Sequence, residues 1–216
     1  MVNPILLCVE GLIGAGKTTF CTELENYISP LNIGNMSVKI LKEPVDYWRE
    51  LGLLERFYKD QPRWAFTFQL TALVTKCIEL MKLENNTIYI IERSPYTDMN
   101  CFAKLCNMSG SIDDMEMSIY KLYFQYFISQ LETKCSIQFI YLKTSPEICM
   151  KRIEKRNRIE EKGIPIEYLV SLETLHNEWL LNNSIILNGN ADISDNTNIS
   201  TIIDFIKLQM FHSHPL

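Results

Sequence analysis

Gly11-Leu12-Ile13-Gly14-Ala15-Gly16-Lys17-Thr18 is the stretch on which the reading of the fold turns. Its GxxxxGK[ST] spacing follows an apolar run at 5–9 and precedes a segment of helical character at 18–28, so the strand, loop and helix order that the motif needs is present. A strand that ends in a glycine-permissive loop turns backbone N–H groups inward. The N-terminus of the following helix adds its partial positive charge at the same point, and that point binds phosphate. Gly11 and Gly16 allow close backbone approach, Lys17 is expected to reach the β- and γ-phosphates, and the Thr18 hydroxyl is expected to ligate Mg2+. Gly14, Ala15 and Thr19 complete the candidate phosphate-binding set.

Outward from this loop, apolar runs of strand length recur at 38–41, 88–91, 137–142 and 185–187, separated by longer segments with helical character. Continuous apolar strands alternating with helices imply an α/β fold, a parallel five-stranded sheet with helices on both faces. No repeat, low-complexity tract or linker divides the chain, so one domain over 1–216 is expected. Ligands of such a sheet bind beyond the carboxyl ends of its strands. There the sequence delivers the phosphate loop, then Glu43-Pro44-Val45, then Glu92-Arg93-Ser94. Pro44 biases Glu43 towards an extended conformation, and a carboxylate so placed can accept the proton of an attacking hydroxyl.

The segment 62–84 reads as one long helix, with Pro62 in its first turn and Phe66, Leu70, Leu73, Cys77 and Leu80 or Met81 as a core stripe. Gln69, Ala72 and Lys76 share a different face, where a small residue between two polar ones makes a slot for a flat polar ligand. Gln69 can donate and accept together, which suits the edge of a nucleobase. Tyr96, Asp98 and Phe102 open another helix beside the Glu92-Arg93 turn. From 146 to 158 a helix carries Lys151, Arg152, Lys155, Arg156 and Arg158; like-charge pairs four residues apart cost stability, which favours a lid, about 152–163, that closes on phosphate.

A net charge of −5 and a pI near 5.3 exclude a general binder of nucleic acid or anionic membrane, both of which need a basic surface. Seven scattered cysteines without a CxxC pair read as buried thiols in a reducing compartment. No apolar run is long enough to span a bilayer, and the first core strand starts almost at Met1, so a cytoplasmic location is expected.

Five blocks in fixed order resemble the deoxynucleoside kinase family, with its deoxycytidine, deoxyguanosine and mitochondrial thymidine kinases and its insect, bacterial and large-DNA-virus relatives: EGLIGAGKTT (10–19), EPVDYW (43–48), PRWAFTFQ (62–69), ERSPYTD (92–98) and RIEKRNRIEEKGIPIEYL (152–169). The resemblance implies a P-loop NTPase-type sheet with an arginine-rich lid. It implies an enzyme that transfers the γ-phosphoryl of ATP, or another nucleoside triphosphate, to a deoxynucleoside 5′-hydroxyl with Mg2+. By position, Glu43 is the implied general base, Arg93 lies beside it, and Glu92 is a carboxylate near the metal. Tyr58 and Glu161 hold the sugar 3′-hydroxyl, Gln69 reads the base edge, and Trp48, Phe68 and Phe102 surround the base. Arg152, Arg156 and Arg158 form the lid, and Asp192 remains from a loop at the donor base. A homodimer through the helices at 62–84 and 112–132 is implied.

Lys76 and Asp98 stand where the deoxycytidine and deoxyguanosine branch carries arginine and aspartate and the thymidine-preferring branch has uncharged residues. The resemblance thus implies deoxycytidine and purine deoxynucleosides over thymidine, with a looser pairing because lysine lacks the planar fork of arginine. The alternatives are a thymidine-preferring member, a thymidylate kinase sharing the loop and lid, and a nucleotide-binding regulator without phosphotransfer.

Overall fold

The computed structural model of the chain describes residues 2–31, 36–191 and 197–212, with side chains up to residue 206. Five parallel strands form one sheet: β1 (Ile5–Glu10), β2 (Ser37–Leu41), β3 (Thr87–Glu92), β4 (Ser136–Lys143) and β5 (Ile185–Asn188), in the order β2-β3-β1-β4-β5. All five apolar runs are strands. Leu7 lies opposite Ile90 on one side and Gln138 on the other, which places the ends of β1 and β3 side by side. The chain leaves β1 towards one edge of the sheet and leaves β3 towards the other. A crevice opens where connections diverge in this way, at the carboxyl ends of the strands.

Alternate residues of each strand serve opposite faces, the period-two rule for a pleated strand. On one face, Leu7, Val9, Ile88, Ile90, Ile140 and Leu142 pack against Phe20 and Leu24 of α1 (Lys17–Ile28) and Ile199, Ile202 and Ile206 of α10 (Thr197–His212). On the other, Leu6, Cys8, Tyr89 and Ile91 meet Leu80 of α4 (Gln61–Leu80) and Ile128 and Leu131 of α7 (Asp114–Glu132). A third cluster joins α4 and α7 to α2 (Val45–Glu50), α3 (Leu53–Lys59) and α6 (Lys104–Met108).

Two expectations need correction in detail. The helix expected over 62–84 ends at Leu80; the chain then turns through Asn86, whose φ of +55° lets β3 begin at Thr87. Its core stripe is also rotated: Ala65, Phe68, Leu73 and Cys77 are buried, while Phe66 and Leu70 are half-buried. Gln69, Ala72 and Lys76 are buried as well, so α4 is covered on two sides. The basic helix α8 (Pro146–Arg156) stops before Arg158 because Asn157 takes a left-handed conformation, and α9 (Ile166–Leu180) follows the lid. After β3, α5 (Pro95–Thr97) leads into a π-turn over Asp98–Ala103 that continues into α6.

Candidate active site

The phosphate loop is held tightly by its neighbours. A Cβ on Gly11 would come within 2.7 Å of the Leu142 carbonyl oxygen, and one on Gly14 within 2.6 Å of that of Cys149, so the end of β4 and helix α8 can pack against the loop only because these residues are glycine. Gly11 and Ala15 lie beneath the loop. The Ala15 N–H donates to the Leu12 carbonyl (3.2 Å), and its own carbonyl accepts from Thr144 Oγ1 (3.2 Å) and Arg152 Nη1 (2.8 Å). Gly14, Gly16, Lys17, Thr18 and Thr19 border a cleft of about 620 Å3 whose other walls include Glu92, Arg152, Arg156, Arg158 and Asn190. Lys17 Nζ donates to the carbonyls of Leu12 (2.7 Å) and Gly11 (3.1 Å). Burial, then the neighbouring Arg93, lower its pKa to about 8, with Glu43 and Glu92 acting in the opposite direction. Thr18 Oγ1 donates to Glu92 Oε1 at 2.5 Å, so the two oxygens proposed for a metal converge at the edge of the cleft.

A second cavity of about 300 Å3 opens from the same point and shares Gly14, Lys17, Thr18, Glu92, Arg156 and Arg158 with the first. It is lined by eight of the nine residues expected around a nucleoside, Trp48, Tyr58, Phe68, Gln69, Ala72, Asp98, Phe102 and Glu161, together with Glu43 and Arg93. Lys76 sits behind that lining. Glu43 accepts from Arg93 Nε (3.1 Å to Oε1, 3.3 Å to Oε2) and pairs with Lys76 Nζ at 3.2 Å; Lys76 in turn reaches Asp98 Oδ1 at 2.7 Å. Burial acts to raise the pKa of Glu43, but Arg93, Lys76 and Lys17 outweigh it and hold the pKa at about 2. Asp98 goes the other way: burial dominates over Lys76 and lifts its pKa to about 6.

Three buried polar atoms here have no hydrogen-bond partner among the described residues: Gln69 Nε2, Asp98 Oδ2 and Arg93 Nη1. Buried groups are ordinarily paired, so three orphans belonging to residues of one cavity wall mark a place for a polar ligand. The aromatic wall is rigid. Trp48 meets Phe68 edge-on at 5.4 Å, Phe57 stacks on Phe68 at 4.7 Å, and the Trp48 indole N–H donates to Thr75 Oγ1 at 3.1 Å. Arg93 lies over the Phe102 ring at 4.6 Å and has a φ of +61°, a left-handed conformation that costs a non-glycine residue energy and recurs at functional sites.

The lid crosses the mouth of this cavity. Glu161 accepts from Arg156 (2.5 Å) and Arg158 (3.4 Å), and Glu160 pairs with Arg49 of α2 (2.5 Å). Asp192 lies outside the described residues. Sequence reasoning passed over several residues that matter. Glu10, wholly buried at the end of β1, accepts from the Ser94 N–H (3.1 Å) and from Thr97 Oγ1, and so ties the phosphate-loop strand to the turn that carries Arg93. It obeys the strand-end rule that found Glu43, and that rule could have found it. Phe57 and the Arg49–Glu160 pair left no spacing signal, because their partners are distant in sequence.

A parallel sheet with a GxxxxGK[ST] loop at its switch point, a basic lid above it and an acceptor cavity beside it defines a P-loop phosphotransferase. The deoxynucleoside kinase family model matches residues 7–209. The chain belongs to the deoxynucleoside kinase family, and is a kinase. Among similar proteins, the "Probable deoxycytidine kinase" of fowlpox virus is 38% identical over 176 residues, 80% of this chain and 70% of that protein. Human mitochondrial thymidine kinase 2 is 32% identical over 180 residues, 81% of this chain and 63% of that protein. Chicken deoxycytidine kinase 2 is 30% identical over 199 residues, 80% of this chain and 72% of that protein.

Proposed function

We propose that the enzyme transfers the γ-phosphoryl of ATP, or another nucleoside triphosphate, to the 5′-hydroxyl of deoxycytidine or a purine deoxynucleoside in preference to thymidine. The observation that carries this reading is Glu43, held by Arg93 in the wall of the nucleoside-sized cavity that meets the phosphate cleft at Lys17, Thr18 and Glu92. The base lies between Trp48, Phe68 and Phe102 and is read by Gln69 and Asp98. The sugar 3′-hydroxyl meets Tyr58 and Glu161. The 5′-hydroxyl gives its proton to Glu43 as its oxygen forms a bond to the γ-phosphorus, and the bond to the bridging oxygen of the nucleoside diphosphate breaks. Lys17, Arg93, Arg156 and Arg158 neutralise the charge that spreads over the transferring group, and Arg152 braces the loop from below. A carboxylate with so low a pKa drives proton removal weakly, which suits a loose transition state in which the hydroxyl proton leaves late.

Thr18 and Glu92 would hold Mg2+: two hard oxygens at the edge of a wide cleft suit an ion that keeps several waters and takes the rest of its ligands from substrate phosphates. The chemistry such an ion would supply is neutralisation of phosphate charge. Asp192 is proposed at the donor base. Lys76 and Asp98 favour a base that donates through an exocyclic amino group and leave little apolar room for a thymine methyl. The similarity to human thymidine kinase 2 supports the second reading, a thymidine-preferring member of the same family.

The seven free cysteines, six of them buried, suit a reducing compartment, and we place the enzyme in the cytoplasm; among the described residues no helix is long and apolar enough to cross a membrane. A homodimer through α4 and α7 is supported by an apolar stripe on the exposed face of α7. Glu43→Gln tests the catalytic assignment. The amide keeps the shape but cannot take the proton, so kcat should fall about 100-fold or more while nucleoside affinity, followed by calorimetry, stays close to that of the parent. Unchanged turnover would refute the role of Glu43.

A further inference from the structure

Lys76 is shared between two carboxylates that have different tasks. Its Nζ lies 2.7 Å from Asp98 Oδ1 and 3.2 Å from Glu43 Oε1, and the three side chains are only 5%, 4% and 14% exposed. In so dry a place one cation cannot fully satisfy both anions, and its position follows whichever carboxylate holds it better. Glu43 has a second cation in contact, Arg93 at the end of β3, and Lys17 at the start of α1 acts on it from farther away. Among the described residues Asp98 has no other cation in salt-bridge contact, and its Oδ2 has no hydrogen-bond partner. That empty oxygen belongs to the cavity wall proposed to read the nucleobase.

We propose that Lys76 is a positioning residue that couples base recognition at Asp98 to proton acceptance by Glu43, so that the wrong base lowers kcat and not only affinity. The coupling rests on the nucleoside reading given above. Cytosine presents an exocyclic amino group that donates to Asp98 Oδ2, keeps Asp98 ionised and leaves Lys76 anchored on Oδ1. Thymine presents a carbonyl oxygen at the corresponding place. Asp98 then takes a proton from solvent, its hold on Lys76 weakens, and the ammonium moves onto Glu43, where it stabilises the carboxylate and makes it a poorer acceptor of the hydroxyl proton. The other groups acting on Glu43 do not change with the base: Lys17 of α1, Arg93 after β3, Tyr58 of α3, and the lining charges Lys42, Asp46, Glu92, Arg156, Arg158 and Glu161.

The test separates kcat from KM for deoxycytidine and thymidine with saturating Mg-ATP, in the wild type, in Asp98→Asn and in the double variant Asp98→Asn with Lys76→Met. In the wild type, kcat for deoxycytidine should exceed that for thymidine about ten-fold. Asp98→Asn should lower kcat for deoxycytidine about ten-fold, because the freed lysine leans on Glu43. Adding Lys76→Met should restore most of that kcat, an effect that mere damage to the pocket would not produce. Equal wild-type kcat values with discrimination confined to KM would overturn the coupling, and so would a double variant as slow as Asp98→Asn. The wild-type comparison needs no variant to fold. A wild type that phosphorylates no nucleoside overturns the nucleoside reading itself, whereas turnover with equal kcat values overturns the coupling alone.

Discussion

At the scale of single residues, burial decides which groups carry charge and which only fill space. His176 of α9 is wholly buried; its Nδ1 lies 2.7 Å from the Leu172 carbonyl, its Nε2 has no partner among the described residues, and its ring stacks on Tyr141. Burial lowers its pKa to about 3, so the folded protein holds it neutral while an unfolded chain takes up a proton below about pH 6.5. In that window the unfolded state binds more protons, and stability is lost as pH falls from about 6.5 towards 3, at up to about 1.4 kcal/mol per pH unit. Asp98, with its raised pKa, acts in the opposite sense in part of the same window, being most favourable to folding at low pH and less so as pH rises through about 6. Comparing variants therefore isolates the histidine. Between pH 7 and 4.5 the wild-type melting temperature should fall more steeply than that of His176→Phe, and parallel curves would contradict the assignment. Little of this was legible beforehand: His176 gave no signal in a helical segment. Glu43 and the loop could be read because strand ends announce themselves as a polar residue directly after an apolar run. The partners of Glu43 were found one by one, but their shared contact through Lys76 depends on how α4 lies against β3, which no spacing encodes.

Elements set how far the lid can act. α8 ends at Arg156, capped by Asn157, and the next turn brings Arg158 and Glu161 into the wall of the cavity that Trp48 of α2 also lines. Arg49 is adjacent to Trp48 and Glu160 to Glu161, so their ion pair joins neighbours of two proposed substrate contacts across the mouth. Arg49 is 43% exposed and also pairs with Asp46 at 3.3 Å, so solvent screening and the shared partner keep the link modest. Arg49→Ala and Glu160→Ala should each raise KM for the nucleoside about two- to five-fold, and the double variant should be no worse than the weaker single one. Additive losses would show that the two residues act separately. The elements themselves were readable because continuous apolar runs alternating with amphipathic stretches leave few other arrangements. The π-turn over Asp98–Ala103 and the early end of α4 were not, since both answer to neighbours and not to local propensity.

For the whole molecule, the two cavities meet at the phosphate loop, while Met115, Ile119, Leu122, Tyr123 and Tyr126 lie along α7, all exposed. Such a stripe at helical spacing is the kind of surface a second copy covers. Sedimentation should give a dimer for the wild type and a monomer for Leu122→Glu with Tyr126→Glu, with a monomeric wild type contradicting the arrangement. Dimerisation could be expected from the family resemblance but not from composition, because an apolar helix face looks the same in sequence whether a core or a partner covers it. The central claim concerns the acceptor, and it is tested most directly by kcat/KM with Mg-ATP for deoxycytidine, deoxyadenosine, deoxyguanosine, thymidine and thymidine monophosphate in parallel. The account predicts that deoxycytidine or a purine deoxynucleoside is the best acceptor, that thymidine is poorer, and that the monophosphate is not phosphorylated; a clear thymidine preference would contradict the roles given to Lys76 and Asp98, and phosphorylation of the monophosphate alone would contradict the role of Glu43.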